Sequence, residues 1–303
     1  TPFARRHSAA RRGHIGYGHS HPMAMLSERL ARLSLRVLGW QSRTVPTSTG
    51  SVHWIETPGR GDLPTTVLLH GFNSSAGYNG PLLQALRPHV RRVIAPDLPA
   101  HGFSTAPAHL DGNLIYEGIR DALDRALDAP AVLVGNSMGA ALALRYAVDR
   151  PAMVRGLALV APGGAPLSPH ELATLQRTFS IRTHAEAEAF IDRLLVRRTA
   201  LRPIAAASLR RGFARPALRQ LLAGLGPANY LTVDEVRALA MPVLLLWGAE
   251  ERVLPSTGLA FFREHLPAHA RIEVVAGVGH SPQVDDCDGT ARRLVAFLRE
   301  TAG

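Results

Sequence analysis

The sequence predicts an α/β fold with a mostly parallel central sheet, helices on both faces of that sheet, and an inserted helical cap. Three observations lead there. From residue 50 onward, short apolar runs alternate with amphipathic stretches, the signature of strand–helix–strand crossovers. After Ala161-Pro162-Gly163-Gly164 the alternation stops, and residues 165–236 carry helical periodicity alone. Between the apolar run Ala131-Val132-Leu133-Val134 and the helical run Ala140-Ala141-Leu142-Ala143 lies Gly135-Asn136-Ser137-Met138-Gly139, a tight strand-to-helix turn with a serine at its apex.

Each element follows in order. Residues 1–22 hold four arginines, four histidines and no acid, with neither a helical nor a strand period. We expect a disordered tail, an upstream extension ahead of Met23. His7, His14, His19 and His21 lack the fixed spacing of a metal site. Residues 23–49 read as an N-terminal amphipathic helix and a linker. Over 25–38, Leu26, Leu30, Leu33 and Val37 share one face, and Arg29, Arg32 and Arg36 lie elsewhere. Packing on its own domain is the expected use of that face. Peripheral membrane contact through residues 25–38 is the competing one.

The first part of the core spans 50–164. Strands are expected at 51–57, 66–69, 93–95, 131–134 and 154–161, and helices at 81–86, 114–127 and 138–148. The cap occupies 165–236, with helices at 186–196 and 216–223. The second part of the core, 237–303, has strands at 242–247 and 271–275 and a closing helix at 290–298.

Composition sets the outer bounds. The chain has 303 residues, 46% of them hydrophobic, ample for a large core. No apolar run approaches the roughly 20 residues that span a bilayer, and no secretory signal is visible. One cysteine, Cys287, cannot form an internal disulfide. The missing signal and lone thiol favour the cytoplasm. The net charge of +10 comes mostly from arginines scattered along the chain. No aromatic residues interleave with them as a nucleic-acid stacking platform requires, so nucleic acid is not expected as a partner.

The chemistry starts at Ser137. The glycines on either side permit a turn that lifts its hydroxyl clear of the backbone. The following helix directs unpaired N–H groups toward the same place. A serine nucleophile needs a base, and His280 in Ala276-Gly277-Val278-Gly279-His280-Ser281-Pro282 follows the last strand, at the sheet edge where such sheets bind ligands. The imidazole needs an orienting acid. Glu250 and Glu251 both follow the strand at 242–247. Glu251 is the first choice and Glu250 the alternative. Asp285 and Asp286 are poorer candidates, since they follow the histidine. An oxyanion hole would come from the backbone N–H of Met138 and that of Phe72. Asn73 is a further donor or a turn former, and His70 a support for its loop.

These motifs, taken together, resemble the α/β-hydrolase superfamily over residues 50–303. His70-Gly71-Phe72 is similar to its oxyanion-loop motif, 135–139 to its nucleophile elbow, and Gly279-His280-Ser281-Pro282 to its histidine loop. Asp97-Leu98-Pro99-Ala100-His101-Gly102-Phe103-Ser104 resembles its loop after the next strand, with Ala100 where glycine is usual. The acid loop 247–255 matches too, but Glu251 stands where the family usually has aspartate. Serine at 137 separates the chain from the dehalogenase and epoxide hydrolase branches, which the resemblance says use aspartate there. Two serine branches remain: esterases and lipases related to monoacylglycerol lipases, and hydrolases that cleave carbon–carbon bonds in ring-fission products. The second usually has tryptophan after the histidine, and here Ser281 follows.

The resemblance therefore implies a carboxylic ester hydrolase working through an acyl-enzyme, with no metal and no organic cofactor. The expected partner is a small-molecule ester with an apolar acyl group. Phe179, Phe190 and Phe213 would either line its pocket or form the cap's own core. A carbon–carbon bond hydrolase and a non-catalytic binding protein are the alternatives.

Overall fold

The computed structural model describes residues 22–197 and 202–302. The tail expected over 1–22 lies outside the described residues except for Pro22. The elements run α1 (Pro22–Val37), β1 (Gln41–Thr47), β2 (Gly50–Pro58), β3 (Thr66–Leu69), α2 (Gly80–Leu86), β4 (Arg92–Pro96), α3 (Gly112–Ala126), β5 (Ala131–Asn136), α4 (Met138–Asp149) and β6 (Val154–Val160). The inserted helices are α5 (Pro169–Phe179), α6 (His184–Leu194), α7 (Arg202–Phe213), α8 (Pro216–Ala223) and α9 (Val233–Arg237). The chain ends with β7 (Val243–Gly248), α10 (Ser256–His265), β8 (Arg271–Val275), α11 (Pro282–Asp285) and α12 (Cys287–Glu300).

The eight strands form one sheet in the order β1-β2-β4-β3-β5-β6-β7-β8. Strands from β4 to β8 pair in parallel, and β2 runs antiparallel to both its neighbours. Successive strand residues point to opposite faces, and both faces are covered. Leu69, Leu133, Leu159, Leu245 and Trp247 join one apolar cluster with Ile119 and Leu144 of the helices. Leu68, Val134, Val160, Leu244 and Leu246 join another with Leu83 and Phe297. That double burial is why these strands read as unbroken apolar runs rather than alternating ones.

The five inserted helices all lie between β6 and β7. Three of them start with reciprocal capping boxes, Ser168 with Glu171, Thr183 with Glu186 and Thr232 with Glu235. Each box satisfies backbone donors that a helix start otherwise leaves orphaned. The helices carry a small apolar cluster of their own, built on Ile181, Ala187, Phe190, Ile191, Ala206 and Phe213.

Two expectations for the N-terminal segment need correcting. The linker contains a strand, β1, whose residues Gln41 to Thr47 pair with Glu56 to Gly50. Its polar sequence and Pro46 hide it, yet both suit an edge strand. The helix does pack on the domain, but not through the face expected. Leu35 is buried against Gly80, whereas Leu30, Leu33 and Val37 are 55%, 57% and 81% exposed. Among the described residues, no helix is long and apolar enough to cross a membrane.

Candidate active site

β5 delivers the serine. Ser137 has φ 55° and ψ −118°, a conformation that a side-chain-bearing residue adopts only where its surroundings hold it. Here its N–H donates to Val160 O at 3.0 Å, and its own carbonyl accepts from Gly163 N at 3.1 Å. Glycine at 135 and 139 is a steric requirement. A Cβ on Gly135 would sit 2.4 Å from Ala140 Cα, and one on Gly139 would sit 2.3 Å from Leu69 O.

β3 delivers the loop facing it. A Cβ on Gly71 would lie 3.3 Å from Ser137 Cβ, so this loop abuts the serine. His70 is fully buried and holds the loop. Its Nδ1 donates to Gly71 O at 2.8 Å and its Nε2 accepts from Leu98 N at 3.0 Å. Burial pushes its pKa down, which keeps the ring neutral and matches this donor–acceptor pair. Among the described residues, neither Phe72 N–H nor Met138 N–H has a hydrogen-bond acceptor. Asn73 is not aimed at the serine. Its side chain donates to Leu209 O of α7 at 3.2 Å, tying the loop to the inserted helices.

The loops after β7 and β8 meet beneath the serine. They run so close that a Cβ on Gly248 would lie 2.2 Å from Gly279 O. The two candidate acids then separate by direction. Glu251 Oε2 stands 2.7 Å from His280 Nδ1, and its Oε1 accepts from Val253 N and Leu254 N at 2.7 and 3.0 Å. Glu250 instead accepts from Gly277 N and Val278 N at 3.2 and 3.1 Å, so it braces the histidine loop and does not meet the ring. Burial raises the Glu251 pKa, but the His280 ring and the two backbone donors outweigh it and hold the carboxyl below the usual range. The glutamate side chain at 251 thus reaches the imidazole.

His280 O accepts from Asn136 Nδ2 at 3.4 Å, which sets the histidine loop against the residue before the serine. Among the described residues, the Ser137 hydroxyl makes no hydrogen bond to the His280 ring. Such contacts are often open in unliganded enzymes and close with substrate. One residue passed over in the sequence also belongs here. Asp285 is buried, with Oδ2 accepting from Gly279 N at 2.8 Å and Oδ1 from Val196 N and Arg197 N at 2.9 and 3.1 Å. It joins the histidine loop to the segment after α6. Its chain position after the histidine hid this, because only folding turns its carboxylate back toward residue 279. Asp286 caps α12 instead.

A cleft opens over Ser137, Met138 and Phe72, walled by apolar residues that include Leu142, Leu175 and Leu221. The phenylalanines divide between the two roles expected of them. Phe190 and Phe213 are buried in the cluster of the inserted helices, while Phe179 reaches the cleft wall and meets Phe72 edge-on at 5.6 Å. No group of three or more metal-ligating side chains occurs among the described residues.

Comparison with known proteins identifies the family and the fold. A model described as "Alpha/beta hydrolase family" matches residues 66–293. The chain is 30% identical over 261 residues to the dihydrolipoyllysine-residue acetyltransferase component of the acetoin cleaving system of Pseudomonas putida, covering 82% of this chain and 67% of that protein. It is 30% identical over 257 residues to the pimeloyl-[acyl-carrier protein] methyl ester esterase of Xanthomonas axonopodis pv. citri (strain 306), covering 78% and 95%. It is 29% identical over 233 residues to the 2-hydroxymuconate semialdehyde hydrolase of Pseudomonas putida, covering 70% and 78%. Among solved structures, a bacterial membrane phospholipase A superposes with a TM-score of 0.78 at 25% identity, covering 91% of this chain and 93% of that one. Carboxylesterase CesB of Bacillus subtilis superposes with a TM-score of 0.74 at 22% identity, covering 91% and 98%.

Proposed function

This chain belongs to the alpha/beta hydrolase family, and from that premise we propose that it is a serine hydrolase of carboxylic esters. The observation that carries the proposal is the 2.7 Å contact between Glu251 and His280, behind a strained serine that lies beside two unengaged N–H groups. In the proposed cycle, Ser137 Oγ attacks the acyl carbon while His280 Nε2 takes its proton. Glu251 holds the ring with Nδ1–H toward itself and stabilises the imidazolium that forms. The N–H groups of Phe72 and Met138 take the charge that develops on the carbonyl oxygen. One such donor is worth about 10²–10³ in rate. His280 returns its proton to the leaving alkoxide, and water then releases the acyl group by the same steps. Leu142, Leu175, Leu221 and Phe179 give the cleft an apolar wall, which suits an apolar acyl chain. Glu250 and Asp285 hold backbone and have no part in proton transfer.

The similarity to a 2-hydroxymuconate semialdehyde hydrolase favours a second reading, carbon–carbon bond hydrolysis on the same three residues. Ser281 in place of tryptophan argues for the ester. Turnover of p-nitrophenyl esters of increasing chain length, set against a vinylogous 1,5-diketone, separates the two. We expect ester turnover that Ser137→Ala abolishes. Rapid diketone cleavage with negligible ester cleavage overturns the choice.

A further inference from the structure

We propose that α1, together with the adjoining surface of the inserted helices, docks the protein on an anionic lipid surface. Among the described residues, six of the eight large hydrophobic side chains that stand exposed fall on or next to α1 and two elements that pack on it. Leu30, Leu33, Val37 and Leu38 lie on or just after α1, Tyr78 on the 3-10 turn at Gly77–Asn79, and Ile204 on α7. α1 touches both the turn and α7. The spacing of Leu30, Leu33 and Val37 puts them on one side of the helix, and Leu35, which is buried, on the other. The apolar stripe therefore points away from the protein body, the orientation of a helix that lies in a membrane interface.

Charge selects the kind of surface. Arg29 and Arg36 are exposed on α1, and Arg210, exposed, and Arg211, half-buried, close α7. α1 carries one acid, Glu28, against Arg29, Arg32 and Arg36, and residues 202–213 contain no aspartate or glutamate. Leucine flanked by arginine matches acyl chains beneath anionic headgroups. A second copy of the chain fits less well. A stripe of four aliphatic side chains falls short of the roughly 800 Å² per partner of a stable interface, and its arginines would face their own copies. The inference stands apart from the catalytic reading.

The test is co-sedimentation of the full chain with phosphatidylglycerol–phosphatidylcholine vesicles and with pure phosphatidylcholine vesicles. Binding to the anionic vesicles should exceed binding to neutral ones at least tenfold, and fall as salt rises through the range that screens surface charge. The triple variant Leu30→Ser, Leu33→Ser, Val37→Ser should lose at least tenfold in binding with the charge unchanged. Arg29→Glu with Arg36→Glu should lose a similar factor with the stripe intact. Val274→Ser with Val284→Ser, on the two exposed hydrophobics outside the patch, should bind like the parent. Thermal melts report whether each variant is folded. The proposal is overturned if the parent ignores anionic vesicles at low salt, or if the serine variant binds undiminished. Dimers that the serine variant dissolves would overturn it too, because they would make a second copy the occupant.

Discussion

Glu251 and Glu250 are chain neighbours with opposite assignments: the first meets the His280 ring at 2.7 Å, and the second meets only the backbone of residues 277 and 278. Under the proposed mechanism, Glu251→Gln removes the charge that stabilises the imidazolium and leaves the ring without its preferred acceptor. We expect kcat for an ester to fall about 10³–10⁴-fold. Glu250→Gln should cost less than tenfold in kcat and show mainly as lower stability. Steady-state kinetics of the two variants side by side checks this, and equal losses would contradict it.

The serine turn depends on two glycines for space. Gly139→Ala would drive a methyl group into Leu69 O and His70 O, both backbone atoms that cannot rotate away. We expect a loss of about 3 kcal/mol or more, read as a shift in urea midpoint. Gly226→Ala, where a Cβ meets nothing within 4 Å, should stay within about 0.5 kcal/mol of the parent.

His101 makes stability depend on pH. It is fully buried, donates Nδ1–H to Pro99 O at 2.9 Å, and has no partner for Nε2 among the described residues. Burial first, and then the neighbouring His70, lower its pKa to about 3. Unfolded, it would protonate near 6.5. Between about 6.5 and 3 the unfolded chain therefore binds a proton that the folded chain refuses. Stability falls with pH across that window, by up to about 1.4 kcal/mol per pH unit for this group. His101→Phe should flatten the slope of unfolding free energy against pH by up to one proton, whatever its effect on the absolute value. An unchanged slope would contradict the account.

Asp285 couples the histidine loop to the segment after α6 through three backbone N–H groups. Asp285→Asn offers one acceptor oxygen for the three and turns an NH₂ toward donors. We expect a stability cost of about 1–3 kcal/mol and a drop in kcat of about tenfold with KM little changed, because the ring is displaced rather than removed. Melting curves and kinetics on the same preparation measure both.

Much of the fold was legible in the sequence because the sheet is buried on both faces. Strands such as Thr66–Leu69 and Arg271–Val275 and the helix Pro216–Ala223 fall where periodicity put them. β1 was not legible because an edge strand needs no apolar alternation, and Pro46 is tolerated there. The packing face of α1 was misread because the hydrophobic stripe of a helix does not say whether anything covers it. Leu35 and Ala31, on the opposite side, pack on Gly80 and Gly77, and Arg32 stacks on Phe103. At the site, the glycines around Ser137 and the position of His280 after β8 carry local signals. The choice between two adjacent glutamates depends on side-chain direction at a strand end, and the use of Asp285 on a turn back through space. Neither has a sequence period.

Ser137 acting as a nucleophile activated by His280 is read by intact-protein mass spectrometry after treatment with a fluorophosphonate. We expect one covalent adduct, mapped to the peptide holding Ser137, absent in Ser137→Ala and slowed at least 10³-fold in His280→Ala. An adduct on another residue, or labelling of the Ser137→Ala protein at the parental rate, would contradict it.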